Sequence, residues 1–367
     1  MMEQNKSSIT LLQMTFFIIQ TQIGIGILSM PYSVFSGGAA GDSWMAVLLA
    51  GVVIQMLILL FWKLSKRFPS SSFFDILPKV FGRSIGKLLI GFYMIYFLLV
   101  VSLIFILFNS IIDIWAFPQT PNWIFLVMLG ILVYYLVIEN LRIIARFHTL
   151  VSVFLLSIVL LTLPVYTQVD IRYIMPVFNS GFTNFLSGGK EAIFSLLGFE
   201  LVLFLFPFVK GNEKEKLLYA SAANGFVTLF YTYLTFLCTI FFSPEELRLV
   251  PHPVLYMLNA FTFTVIERTD IVFLSIWMIL VTTSLMSYSY FAAMGLAKII
   301  PIKKQTKTVA IILICASILS LIPRNVLSID RWSTNIGNLG IIFSIVLPVG
   351  TLLLSYALRR LEGKVKV

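Results

Sequence analysis

Charge is scarce in this chain. Only 11% of its 367 residues are Asp, Glu, Lys or Arg, against roughly 25% in soluble domains. Hydrophobic residues make up 59%, more than a water-soluble core of this size can hide, which excludes a freely soluble protein. Histidine and cysteine are nearly absent, with two of each. Cys238 and Cys315 both fall in long apolar runs, which excludes a disulfide scaffold, and two thiols alone make no metal site. The chain also lacks a phosphate-cradling P-loop, a GxSxG elbow and an HExxH helix. Nothing points to an enzyme, and no cofactor or metal is expected.

What the chain has is long apolar runs along its whole length. A membrane helix takes about 20 such residues. The runs give ten spans, at 9–35, 43–63, 86–112, 121–139, 143–165, 185–209, 216–241, 269–298, 308–323 and 334–358, in one all-α transmembrane domain. A shorter run at 254–265 reads as a re-entrant or surface helix, and the basic, partly apolar connection 63–87 as a helix lying on the membrane. The start is not a signal peptide, because Gln13, Gln20, Thr21 and Gln22 interrupt its apolar run and no cleavage pattern follows. With ten spans, twenty of the 26 Lys and Arg residues fall in loops on one side. That bias puts both termini in the cytoplasm. It also explains the net charge of +10 by attraction to anionic lipid, without nucleic acid.

The two halves of the chain, about 9–165 and 185–361, carry a matching irregularity. Span 1 holds Gly24 and Gly26 near its middle, followed by Pro31; span 6 holds Gly198-Phe199-Glu200, followed by Pro207. Five spans per half is odd, so the second half enters the membrane from the opposite side. Interrupted helices at corresponding places in two inverted halves point to a transporter-type binding site. Irregular backbone at membrane depth is tolerated only where it lines a cavity or is covered by protein. Freed N–H groups suit a carboxylate, and freed carbonyls an ammonium; an α-amino acid has both. The other reading of such glycines is close helix packing.

Glu200 lies deep in span 6, where a carboxylate costs roughly 2.5–3.5 kcal/mol to insert. Its expected roles are gating, proton carriage or an amine contact, against a purely structural hydrogen bond. Tyr93 and Tyr96 lie mid-span in span 3, with Asn109 nearer its outer end. Span 8 carries TTSLMSYSY (282–290), from which Thr283 and Ser287 are candidates for completing a pocket. The alternative is that these hydroxyls bond back to their own helix. Lys190 and Glu191 read as a snorkelling side chain or local ion pair, Arg142 and Arg146 as headgroup anchors, and His148 and His252 as structural histidines.

IGIGILSMP (23–31) followed by IFSLLGFE (193–200) resembles the paired broken-helix motifs of amino acid–polyamine–organocation transporters. Within that superfamily the chain resembles the B subunit of spore-germination nutrient receptors, the endospore germination permeases. The supporting stretches are ITLLQMTFFIIQTQIGIGILSMP, RFPSSSFFDILPKVFGRSIGKLL, IMPVFNSG, FPFVK and ERTDIVFLSIWMI. The resemblance implies an inverted five-plus-five helix fold with helices 1 and 6 broken. It implies a nutrient-sensing subunit in the inner spore membrane, with an A subunit and a lipoprotein C subunit as partners. A small nutrient, most simply a neutral amino acid, would bind between spans 1, 3, 6 and 8. By position, Gly24, Gly26, Gly198 and Phe199 would line the unwound site, Tyr96 would face it, Thr283 and Ser287 would close it, and Glu200 would gate or support it. Span 5 has no mid-membrane lysine of the kind some proton-coupled relatives use. A proton- or sodium-coupled amino acid transporter is the alternative, and an ion or water channel subunit a further one.

Overall fold

The computed structural model describes residues 8–261, 268–300, 302, 304–359 and 361. Of the features read above, Lys6, Lys303, Arg360, Lys364, Lys366, Glu267 and residues 262–265 lie outside this set. Helices dominate, and among the described residues the one β contact is an isolated parallel bridge between Ile9 and Val209.

Among the described residues, six helical stretches are long and apolar enough to cross a bilayer: Gly26–Arg67, Arg83–Trp115, Leu141–Thr167, Glu213–Phe241, Thr269–Ile299 and Val326–Ala357. The first is really two helices, because Gly38 (φ 121°) and Ala40 (φ 46°) turn the chain between them. A seventh crossing is the pair Phe182–Ser195 and Phe199–Phe208, bent by 53°. Asn122–Val137 and Gln305–Ser320 are shorter apolar helices of 16 residues, each about 24 Å long at 1.5 Å per residue. A helix therefore stands at every one of the ten predicted spans.

We label the helices used below in chain order. α1 is Leu11–Gln22, α2 Gly26–Val34 and α3 Ser43–Arg67. α4 is Phe73–Phe81, α5 Arg83–Trp115 and α6 Asn122–Val137. α7 is Leu141–Val151, α8 Val153–Leu161 and α9 Phe182–Ser195. α10 is Val202–Leu205, α11 Glu213–Phe241, α12 Pro244–Leu247 and α13 Pro253–Asn259. α14 is Thr269–Ile299, α15 Gln305–Ser320, α16 Val326–Ile341 and α17 Leu347–Ala357. Span 1 is thus α1 plus α2, and span 6 is α9 plus the run through α10.

Local chemistry sets the ends. Thr10 caps α1 reciprocally: its Oγ1 accepts the Gln13 N–H at 3.2 Å, and Gln13 Oε1 accepts the Thr10 N–H at 3.0 Å. Asn212 and Glu215 cap α11 in the same way. Where α2 meets α3, the buried Asp42 carboxylate accepts the N–H groups of Phe178 and Ser180, at 2.7 and 3.2 Å, and the Ser180 hydroxyl at 2.8 Å. This clamp holds the loop that precedes α9.

Two connections differ from the sequence reading. α4 does not simply lie on the membrane: Phe73, Phe74, Ile76 and Leu77 are fully buried, with both Phe rings against Tyr93 and Phe204. Its apolar face finds protein rather than lipid. Arg142, read as a headgroup anchor, instead donates to the Ser8 carbonyl and hydroxyl at 2.9 and 3.0 Å. The helix within the 254–265 run is α13, whose buried Val254, Leu255, Met257 and Leu258 join the core beside α2 and α14.

Candidate functional site

α1 stops at Gln22 and α2 starts at Gly26, so residues 23–25 are non-helical. The second break is at Leu196–Gly198, with Gly198 at φ 123°. The two breaks meet. A Cβ on Gly198 would sit 3.1 Å from the backbone N of Gln22, and one on Gly26 would sit 2.8 Å from the Ser195 carbonyl oxygen. A Cβ on Gly24 would overlap the Ser284 hydroxyl. Gly26 and Gly198 therefore allow backbone to approach backbone at the breaks, and Gly24 leaves room for the Ser284 side chain.

Several backbone groups freed by the breaks are paired inside the protein. The Ser284 hydroxyl lies within donating distance of the Gln20 and Thr21 carbonyls, at 3.0 and 3.1 Å. Tyr231 donates to the Gln22 carbonyl at 3.0 Å, and Gln22 Nε2 to the Leu196 carbonyl at 2.8 Å. Glu200 is fully buried; its Oε2 accepts the Gly198 N–H at 2.8 Å and its Oε1 the Tyr288 hydroxyl at 3.1 Å. Glu200 thus braces the second break and joins it to span 8.

A cavity of about 240 Å³ opens from the breaks toward the end of the bundle away from the termini. Gly24, Gly26 and Tyr96 line it, together with Thr21, Gln22, Ser284, Tyr288 and, from α16, Ser333, Thr334, Ile336 and Gly337. Lys190 and Glu191 also line it; the Lys190 ammonium lies 5.2 Å from the Phe194 ring centre rather than on the neighbouring carboxylate. One polar group is left over: Gln22 is buried and its Oε1 has no hydrogen-bond partner among the described residues. Among the described residues the N–H groups of Gly24 and Ile25 also find no hydrogen-bond acceptor, and Gly26 opens α2, where helix N–H groups are unpaired.

Four residues selected from the sequence lie elsewhere. Gly198 is taken up by its contacts with Thr21 and Gln22, and Phe199 is fully buried with its ring stacked on Phe61 at 5.9 Å. Thr283 and Ser287 face the termini side of the break. There Thr21 donates to Ser287 at 2.7 Å, and His148 Nε2 lies 2.9 Å from the Ser287 hydroxyl and 3.1 Å from the Thr283 carbonyl. His148 Nδ1 lies 2.8 Å from the Ile144 carbonyl, and the ring stacks on Phe17 at 4.4 Å, so this histidine is satisfied as expected. On α14 the cavity-lining pair is Ser284 and Tyr288, one residue and about 100° further round the helix. The span-10 wall had no signal in the sequence, since 333–337 is an unremarkable STNIG.

The termini side of the cavity is closed. The Ile9 N–H donates to the Phe208 carbonyl and the Lys210 N–H to the Ile9 carbonyl, both at 2.9 Å, pairing the start of span 1 with the end of span 6. Above this lies an aromatic layer in which Phe204 touches Tyr93, Phe97 and Phe291 at 5.3–5.4 Å. At the membrane edge, Lys298 on α14 pairs with Asp75 on α4.

A family model described as spore germination protein matches residues 8–326. The chain belongs to that family. This germination protein is 28% identical to GerQB of Bacillus cereus over 339 residues, 92% of this chain and 93% of the relative. It is 24% identical to YndE of Bacillus subtilis (strain 168), over 95% of this chain and 96% of that one. Among solved structures it shares the fold of a substrate-bound, outward-open sodium-coupled sialic acid symporter, at TM-score 0.69 and 12% identity, covering 94% of this chain and 80% of that one. MhsT in complex with L-phenylalanine gives TM-score 0.65 at 12% identity, over 95% and 89% of the two chains. Mhp1, a nucleobase-cation-symport-1 transporter with bromovinylhydantoin bound, gives 0.69 at 13%, over 97% and 80%. The germination protein is therefore a multi-pass membrane protein with a transporter fold, as its broken first and sixth helices led one to expect.

Proposed function

We propose that this germination protein is the nutrient-sensing subunit of a spore germinant receptor, and that its ligand is a small neutral amino acid. The observation that carries this reading is the central cavity. It combines unpaired N–H groups at the start of α2, suited to a carboxylate, with the unpartnered Gln22 Oε1, suited to an ammonium. At about 240 Å³ it is smaller than the roughly 300–1,000 Å³ sites of drug-sized ligands. Ser29, Ser195, Tyr96 and Tyr288 add hydroxyls and aromatic surface, and the charged groups in the lining, Lys190 and Glu191, are of opposite sign.

In this reading both termini are cytoplasmic, the membrane is the inner membrane of the spore, and A and C subunits are the partners that read out the change. The loops that carry Lys63, Arg67, Arg142, Lys210 and Lys298 support the orientation, because they share a face with Ser8 and Ser355. Ligand acts by favouring one arrangement of the broken helices, and it shifts the balance only by its differential affinity for the two.

The test uses the purified chain in liposomes, with labelled alanine and valine. Saturable binding without accumulation, lost at least tenfold in Gln22→Leu, supports the sensor. Gradient-driven accumulation makes the protein a coupled transporter instead, and nutrient-independent conductance makes it a channel.

A further inference from the structure

A second cavity, of about 590 Å³, lies near the end of the bundle away from the termini, between α5, the start of α6 and the turn from α15 into α16. It shares no lining residue with the central cavity. Asn109 on α5 lines it; this residue is 7% exposed, and its buried Oδ1 has no hydrogen-bond partner among the described residues. Native proteins seldom leave such an amide oxygen unsatisfied unless something else fills the site.

The walls have a definite chemistry. Ile106, Asn109, Ser110 and Asp113 line the cavity at three- and four-residue spacing, so they share one face of α5. Arg324 and Asn325 line it from the turn before α16. Asn325 caps that 16-residue helix, with its Oδ1 accepting the Ser328 N–H at 2.8 Å and its own N–H reaching Ser328 Oγ at 3.2 Å. The cap fixes Arg324 beside a helix start, where the backbone carries partial positive charge. Neither Asp113 nor Arg324 forms an ion pair among the described residues. One cavity therefore holds a carboxylate, a guanidinium next to a helix N-terminus, and an unsatisfied amide.

We propose that this cavity is a second binding site, for a small zwitterion whose ammonium pairs with Asp113 and whose acidic group is held by Arg324 and the start of α16. Asn109 supplies a neutral hydrogen-bonding contact. Two sources offer this chemistry: a free amino acid, and the headgroup of phosphatidylethanolamine. The exposed side chains of Ile114, Leu321 and Val326, which also line the cavity, are the kind of surface that acyl chains cover.

The experiment compares wild type, the Asp113→Asn/Arg324→Gln double variant and Gln22→Leu, each as the full chain with folding checked by thermal melting. In pure phosphatidylglycerol vesicles, which offer no ammonium lipid, the stoichiometry of labelled L-alanine is measured. In vesicles that also contain phosphatidylethanolamine, the lipid retained after detergent extraction is measured by mass spectrometry. If the source is the free amino acid, the double variant loses one alanine equivalent and keeps the equivalent sensitive to Gln22→Leu. If the source is the lipid, retained phosphatidylethanolamine drops at least fivefold relative to phosphatidylglycerol in the double variant alone. Equal alanine stoichiometry and equal lipid ratios in wild type and double variant overturn the proposal. Asn109→Leu, which keeps both charges and removes the amide, repeats the test should the double variant fail to fold. Loss of alanine binding at the central cavity alone would appear only in Gln22→Leu, so the two sites fail separately.

Discussion

At the residue scale, the site depends on atoms that have no room for substitution. Adding a methyl at Gly26 meets the Ser195 carbonyl, which belongs to the backbone of the other broken helix. Adding one at Gly24 meets the Ser284 side chain. Both Gly→Ala changes are expected to destabilise by about 1–3 kcal/mol, the usual cost of overpacking. They should differ in rescue: Ser284→Gly recovers much of the loss in Gly24→Ala, and no side-chain deletion recovers Gly26→Ala. Melting temperatures of the purified singles and doubles check this. Glu200 makes a second contrast. Its two oxygens accept from Gly198 and Tyr288. Glutamine keeps one acceptor for Gly198 and offers an NH₂ group to the tyrosine oxygen, so Glu200→Gln should fold. Glu200→Leu strands both donors at about 1–3 kcal/mol each. A melt of Glu200→Leu matching that of Glu200→Gln would refute the bracing role.

At the scale of elements, the short helix α4 ties the loops together through Asp75. Burial pushes the Asp75 carboxyl up, but hydrogen bonds from Lys298 and Ser72 and the Lys298 charge outweigh it, so it is held below the usual carboxylate value. A carboxylate lowered in the folded state contributes stability that is present above its unfolded value, and this is lost as pH falls through the folded one. Both partners are about two-fifths exposed, so solvent screening keeps the pair to less than about 1 kcal/mol. Lys298→Met should therefore lower the melting temperature slightly at pH 7, and the difference should disappear once the pH is low enough to protonate Asp75 in the folded protein. The Asp42 clamp is a stronger tie, since one buried carboxylate serves three donors. Asp42→Ala should free the 176–181 loop, seen as faster proteolytic cleavage there with the helices still protected.

At the scale of the whole molecule, the central cavity is open on one side and sealed on the other. The seal is the Ile9–Val209 bridge together with the aromatic layer around Phe204. Cysteines replacing Ile9 and Val209, with Cys238 and Cys315 changed to alanine, should join oxidatively, because bridged strand residues lie within the ~4.4–6.8 Å Cα range of disulfides. The cross-linked protein should bind nutrient within twofold of its reduced form, since the cavity opens at the far end. It should lose any activity that requires the sealed side to move. Binding assays with and without reductant separate the two.

The sequence determined the solvent, the helices and the two breaks. Apolar run length, sparse charge and the glycines at 24, 26 and 198 act locally or through partition into lipid, so they can be read without a partner in view. Tertiary structure decided which face of each helix meets the cavity. Span 8 is buried on nearly all sides, so its composition has no polar face to mark, and the choice between Thr283/Ser287 and Ser284/Tyr288 rested on a rotation of about 100°. The same holds for Gln22 and for the wall at 333–337: only the meeting of two broken helices with a distant one left the Gln22 oxygen unpaired. It also holds for Asn109, an ordinary polar residue in sequence, which only the tertiary structure places in one cavity with the turn into α16.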